Sequence, residues 1–171
     1  MTRITAFARL ALIVLPALAI EPAAAQPGGQ PMAPAQPFEY AVKFVCGTST
    51  APVAAAMVVP GNYLTLVNVH NPGPPLEFTH KISMPALAAP GSMTPYQPFI
   101  TLRYDHSADF NCRWIRSRLG AAGIPTGPFF TGFLVIQSPR ELDVVAVYSA
   151  ATLAGQAASV HTERVPVRRV Q

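Results

Sequence analysis

Imidazole is the most versatile group this chain offers, and it occurs four times, at His70, His80, His106 and His161. A zinc site needs three or four convergent His, Cys, Asp or Glu ligands, often with two of them close in sequence. Neither an H-x-H pair nor an H-E-x-x-H pair is present. Asn68 and His70 share one face of an alternating segment, and Asp105-His106 stands close to Asp109. His70, His106, Asp105 and Asp109 are therefore the residues from which a fold could assemble a metal-dependent or hydrolytic site. The plainer expectation is that these turn and strand-end groups hydrogen-bond backbone. His80 interrupts an apolar face and reads as a core histidine satisfied by one hydrogen bond. There is no G-x-S-x-G elbow, and nothing singles out one serine for a triad recognised by geometry. Acidic residues are too few to favour paired-carboxylate glycosidic chemistry. Pro27-Gly28-Gly29 does not lie between a strand and a helix, as a phosphate loop must. No catalytic residue and no cofactor is assigned.

The two cysteines, Cys46 and Cys112, form an even pair. Outside the cytoplasm such a pair is expected to be bridged, and closing so long a loop contributes about 4 kcal/mol in the chain-entropy model. The alternative is two buried thiols too far apart to join. Neither has a base placed beside it in sequence, so a catalytic thiol is not expected. Arg113, Trp114, Arg116 and Arg118 form the one basic and aromatic group. It could stack on or pair with an anionic partner, which for an exported chain means envelope polymers or lipid headgroups. Its simpler reading is the solvated face of a short amphipathic helix.

Compartment follows from the first 25 residues. Arg3 and Arg9 precede an apolar run from Leu10 to Ile20, and Ala23-Ala24-Ala25 supplies small residues for a cut before Gln26. The run falls short of the roughly 20 apolar residues a membrane span requires, and Pro16 interrupts it. Residues 1–25 thus read as a signal peptide, 26–37 as a Pro/Gly linker, and 38–171 as one domain, periplasmic or secreted. The whole chain carries a formal charge of +4, with 12% charged and 50% apolar residues. That excludes a disordered polyelectrolyte and is far from the basic density of a nucleic-acid binder.

The elements that must position these residues repeat every second residue. Phe38, Tyr40, Val42, Phe44 and Cys46 fall on one face, and Leu76, Phe78, His80, Ile82 and Met84 on another. Further strands fit 53–59, Tyr63–His70, Phe99–Tyr104, Phe129–Ile136, Leu142–Tyr148 and 158–165. The connector between Phe129–Ile136 and Leu142–Tyr148 is short enough for antiparallel neighbours. Residues 85–98 and 120–128 read as loops, and Ser107–Leu119 as the single short helix, stopped by Gly120. The 19 prolines sit between the apolar runs and leave little room for longer helices. Seven or eight strands with one minor helix predict an all-β antiparallel β-sandwich, immunoglobulin-like or related. Leu142–Tyr148 is apolar on both faces, and Val145 and Val147 would look outward from a monomer. That predicts a cover over them, for example from a second copy.

Several blocks carry a resemblance: Tyr40-Ala-Val-Lys-Phe-Val-Cys-Gly47, Gly61-Asn-Tyr-Leu-Thr-Leu-Val-Asn-Val-His-Asn-Pro72, Asn111-Cys112, Gly132-Phe-Leu-Val-Ile136 and Leu142-Asp-Val-Val-Ala-Val-Tyr148. The chain resembles a group of uncharacterised exported bacterial proteins. The resemblance implies a shared fold and a paired Cys46 and Cys112, and no activity. The functional expectation is an exported, non-enzymatic binding, adhesion or scaffold module. Alternatives are an enzyme using His70 and His106, or an envelope structural protein that docks anionic polymers.

Overall fold

The alternation seen in the sequence becomes backbone pairing. A computed structural model describes residues 37–50, 58–86 and 89–170. Ten strands and one helix follow in order: β1 (Phe38–Ser49), β2 (Gly61–Asn71), β3 (Leu76–Ala86), β4 (Ala89–Met93), β5 (Gln97–Leu102), β6 (His106–Asn111), α1 (Cys112–Ala121), β7 (Phe129–Ser138), β8 (Asp143–Ala151), β9 (Ala157–Arg164) and β10 (Arg168–Arg169). All strand pairs are antiparallel and join into one sheet of order β4-β3-β7-β1-β2-β8-β9, with β5 beside β3, β6 beside β2 and β10 beside β1. The signal peptide, the linker and most of the strand expected at 53–59 lie outside the described residues.

The centre of the sheet is β1, aligned with β7 from Phe38↔Ser138 to Gly47↔Phe129. Its far edge meets β10 at one end and β2 at the other. Between them two side chains take the place of a strand. Tyr148 Oη donates to the Lys43 carbonyl (3.0 Å), while Thr65 Oγ1 accepts from Val45 N and donates to Val45 O (both 3.0 Å). Close packing inside the sheet explains Gly132. A Cβ there would run into the Ser83 carbonyl and the Phe44 ring, so only glycine fits.

One core collects residues from both halves of this sheet: Tyr40, Val42 and Phe44 from β1, Leu134 and Ile136 from β7, Val67 and Val69 from β2, Val144 and Ala146 from β8. Phe78 of β3 meets Phe110 of β6 edge to face, with ring centroids 6.2 Å apart. Tyr40 Oη donates to the Leu142 carbonyl (2.9 Å) and accepts from Leu142 N (2.7 Å), pinning the start of β8 to β1. Cys46 and Cys112 are bonded, with Cα atoms 5.6 Å apart. The bridge ties β1 to the first residue of α1, whose Ile115 and Leu119 are fully buried.

Several expectations are corrected. The helix does not begin at Ser107: His106–Asn111 is a strand that pairs with β2, and the helix starts after Asn111, whose side chain accepts from Trp114 N as an N-cap. Nor does it stop at Gly120. It runs to Ala121, and Gly123 takes the left-handed conformation two residues later. The span 85–98 is not one loop, because β4 lies within it and pairs back on β3. Beyond the last expected strand, Arg168 and Arg169 form β10 against the start of β1. The strands β7 and β8 are not neighbours. Each is flanked on both sides by other strands, β7 by β3 and β1, β8 by β2 and β9. Their short connector crosses between halves, and Arg140 holds it by bonding the Pro74 and Pro75 carbonyls.

Candidate functional site

On β2, the odd residues Thr65, Val67, Val69 and Asn71 turn into the core, so Leu64, Leu66, Asn68 and His70 turn outward. Registers of β6 and β8 place Ser107, Asp109 and Asn111 on one side of them and Asp143, Val145, Val147 and Ser149 on the other. Adjacent β9 adds Arg164, Thr162 and Val160 to the same face. This outer face is polar at one end and apolar at the other.

The polar end is a charge cluster. His70 Nε2 lies 2.8 Å from Asp105 Oδ1, and Nδ1 lies 3.5 Å from Asp143 Oδ2. Asp143 also pairs with Arg164 at 2.6 Å. Carboxylates only accept, so a ring addressed by one at each nitrogen is stabilised with both nitrogens protonated. The hydrogen bond to Asp105, backed by Asp143, raises the His70 pKa above its ordinary value, with partial desolvation opposing. Next to it, Asn68 Nδ2 donates to Asp109 Oδ1 at 2.5 Å.

A turn presents Asp105. Asp105 is the one non-glycine described at positive φ, 58°, a conformation Asp tolerates better than most. Its amide donates to the Asn71 carbonyl at 2.9 Å. Asn71 is buried, and its amide group bonds the carbonyls of Pro74, Leu102 and Arg103, while Oδ1 accepts from Gly73 N. One side chain thereby organises two loops, as the Asn-Pro-Gly punctuation permits.

Of the sequence candidates, the fold brings His70 and Asp105 together and sets Asp109 one pair along. His106 does not join them, since Nδ1 donates to the Tyr104 carbonyl at 2.9 Å. Both ring nitrogens of His70 face different carboxylates, so one ion could not be held by all three groups. No cluster of three or more His, Cys, Asp or Glu among the described residues is placed to hold a metal ion. Asp143, Arg164 and Asn71 were not singled out from the sequence. Asp143 was legible only as the one polar residue on an oily strand, and Arg164 carried no signal.

The apolar end comprises Leu66, Val145 and Val147, half-buried, with Leu64 and Val160 exposed. Leu64, Leu66, Val147 and Ser149 meet Asn111 and Arg113 around a groove of about 470 Å³.

The basic group around α1 does not form one patch. Arg116 bonds Thr126 Oγ1 (2.9 Å) and the Gly127 carbonyl (3.0 Å) and lies over the Phe130 ring. Arg118 lies over Trp114 at 5.4 Å, and only Arg113 reaches the groove. Trp114 packs inward on Phe110 and His80, with centroids at 4.7 and 5.1 Å.

His80 is buried as expected, with 3% of its surface exposed, but the expected hydrogen bond is missing. Neither ring nitrogen has a partner among the described residues, because the neighbours it faces are the rings of Phe110 and Trp114. Burial, reinforced by the Arg118 charge, lowers its pKa to about 4.

No helix among the described residues is long and apolar enough to cross a membrane. No family model matches this chain, and no curated protein or solved structure is found similar to it.

Proposed function

We propose that this is an exported, non-enzymatic binding and scaffold module whose working surface is the outer face of β6, β2, β8 and β9, and whose partner is a polypeptide. The observation that carries this reading is the apolar end of that face. Leu64 is 60% exposed in the middle of a sheet, beside half-buried Leu66 and Val147. Open apolar area rimmed by charge is characteristic of protein contact surfaces. The His70–Asp105–Asp143–Arg164 cluster supplies the polar rim and fixes orientation.

The scaffold is read as a β-sandwich in which the continuous sheet doubles over at the β1–β2 junction. The Phe78–Phe110 and Tyr40–Leu142 contacts, each joining one half to the other, support that reading. The disulfide agrees with an oxidising compartment, periplasmic or secreted. Membership of the exported group suggested by the sequence blocks is part of the same proposal.

A photo-crosslinking amino acid at Leu66, in the protein expressed in its native envelope, tests the surface. The expected result is a defined protein adduct at Leu66 and none at Tyr96, an exposed aromatic between β4 and β5. Equal labelling at both positions, or none at Leu66, removes this reading.

A further inference from the structure

Among the described strands with a single neighbour, β9 is the longest, at 8 residues, and every one of them is exposed. Free edges invite pairing, and proteins usually blunt them with proline, lysine, brevity or bulges. β4 at the opposite end is blunted: it has 5 residues, contains Pro90 and Gly91, and shifts register against β3. β9 has no proline or lysine, its charged residues are confined to Glu163 and Arg164 at its end, Arg164 being paired with Asp143 of β8, and its register shift lies at its start, opposite Ala150 and Ala151.

The ladder shows which backbone groups are open. Val165 N donates to the Val144 carbonyl, so odd-numbered residues here face β8. The even-numbered residues Val160, Thr162 and Arg164 therefore direct both N–H and C=O outward. We infer that a second copy of this chain pairs antiparallel with β9 across a two-fold axis at Thr162. In that register Thr162 meets its own copy and Val160 meets the partner's Arg164, and both are hydrogen-bonded pairs built from outward-facing groups. The odd residues set the register: His161 falls opposite the partner's Glu163, twice by symmetry. The two side chains share a face, so the pairing is charge-complementary when the imidazole is protonated and can hydrogen-bond when it is not. An isologous contact of this kind needs no second surface. It would stand even if the outer face bound nothing, so it does not depend on the proposed function.

Size-exclusion chromatography with light scattering on the mature protein should give a dimer. Thr162→Pro removes an outward N–H without touching the β8 ladder, and should raise the dimer dissociation constant at least about tenfold. Glu163→Lys should weaken the dimer, and His161→Glu added to it should restore it. Thr162→Cys should be joined to its own copy by a short bifunctional thiol reagent, since facing Cα atoms of a hydrogen-bonded pair stand about 5.5 Å apart. Val160→Cys, displaced from the axis, should not. A strict monomer at high concentration overturns the inference, as does a dimer indifferent to both Thr162→Pro and Glu163→Lys. If Thr162→Pro fails to fold, the charge swap and the two cysteine variants decide alone.

Discussion

Two histidines on neighbouring strands of the chain order show how environment sets the behaviour of one side chain. His70 is partly exposed and sits between two carboxylates, so its protonated form is favoured. Its contribution to stability is present below the unfolded pKa and is lost as pH rises through the folded value. His80 has the opposite sign. Its folded pKa is about 4, against 6.5 for the open chain, so the unfolded state takes up a proton first as pH falls. Stability should be full above 6.5 and decline by about 3 kcal/mol on descending to about 4. Urea unfolding at a series of pH values measures this directly, because the single tryptophan, Trp114, packs on the His80 ring. His80→Phe should flatten the decline; a His80→Phe profile parallel to that of the parent would refute the assignment. The apolar setting of His80 was visible in Phe78, Ile82 and Met84. The lack of a partner was not, because Phe110 and Trp114 reach it from other elements.

At the level of elements, alternation identified the long strands, since a half-buried strand writes its two faces into the sequence. β1 shows this in full: Tyr40, Val42, Phe44 and Cys46 are all buried. Misreadings gather where periods collide. Residues 106–111 alternate weakly and lead without a break into a helix, so Ala108 and Phe110 carry a helical signal although β2 claims them as a strand. The neighbours of β7 and β8 were illegible for a different reason: connector length bounds distance and says nothing about which edges are already occupied. Tyr40 is what fixes the crossing. Tyr40→Phe leaves the Leu142 N–H and C=O without their partner and should cost about 1–3 kcal/mol in urea unfolding. Tyr148→Phe loses the bond to the Lys43 carbonyl and the interaction with Glu163, both near the surface, and should cost less. Equal costs would show that the buried pair is not what anchors β8.

For the whole molecule, the cystine is the strongest single constraint that sequence alone anticipated. It spans 66 positions, and replacing both cysteines by serine should lower stability by about 4 kcal/mol. That is a large share of the roughly 5–15 kcal/mol that holds a domain together. Denaturant titrations of oxidised, reduced and doubly substituted protein check it, and a loss below about 1 kcal/mol would mean that the core suffices. Sequence could also foresee an open face on β8, from Val145 and Val147. It could not foresee that, among the described residues, β9 would be exposed along its length with β8 as its one neighbour, since exposure at an edge depends on what the rest of the chain leaves uncovered.

The pairing of Phe38 with Arg169 brings the two ends of the domain together within one short ladder. Tension applied there would peel β10 away a residue at a time instead of shearing a long strand. Once β1 had also been drawn from β7 as far as the cystine, load would pass from Cys46 directly to Cys112, and the chain between them would stay out of its path. Stretched from its ends, the oxidised domain can surrender only the chain outside that bond. A cargo tethered upstream of Phe38 would therefore hang from a fold whose β2 to β6 segment cannot be drawn out until the sulfurs are reduced.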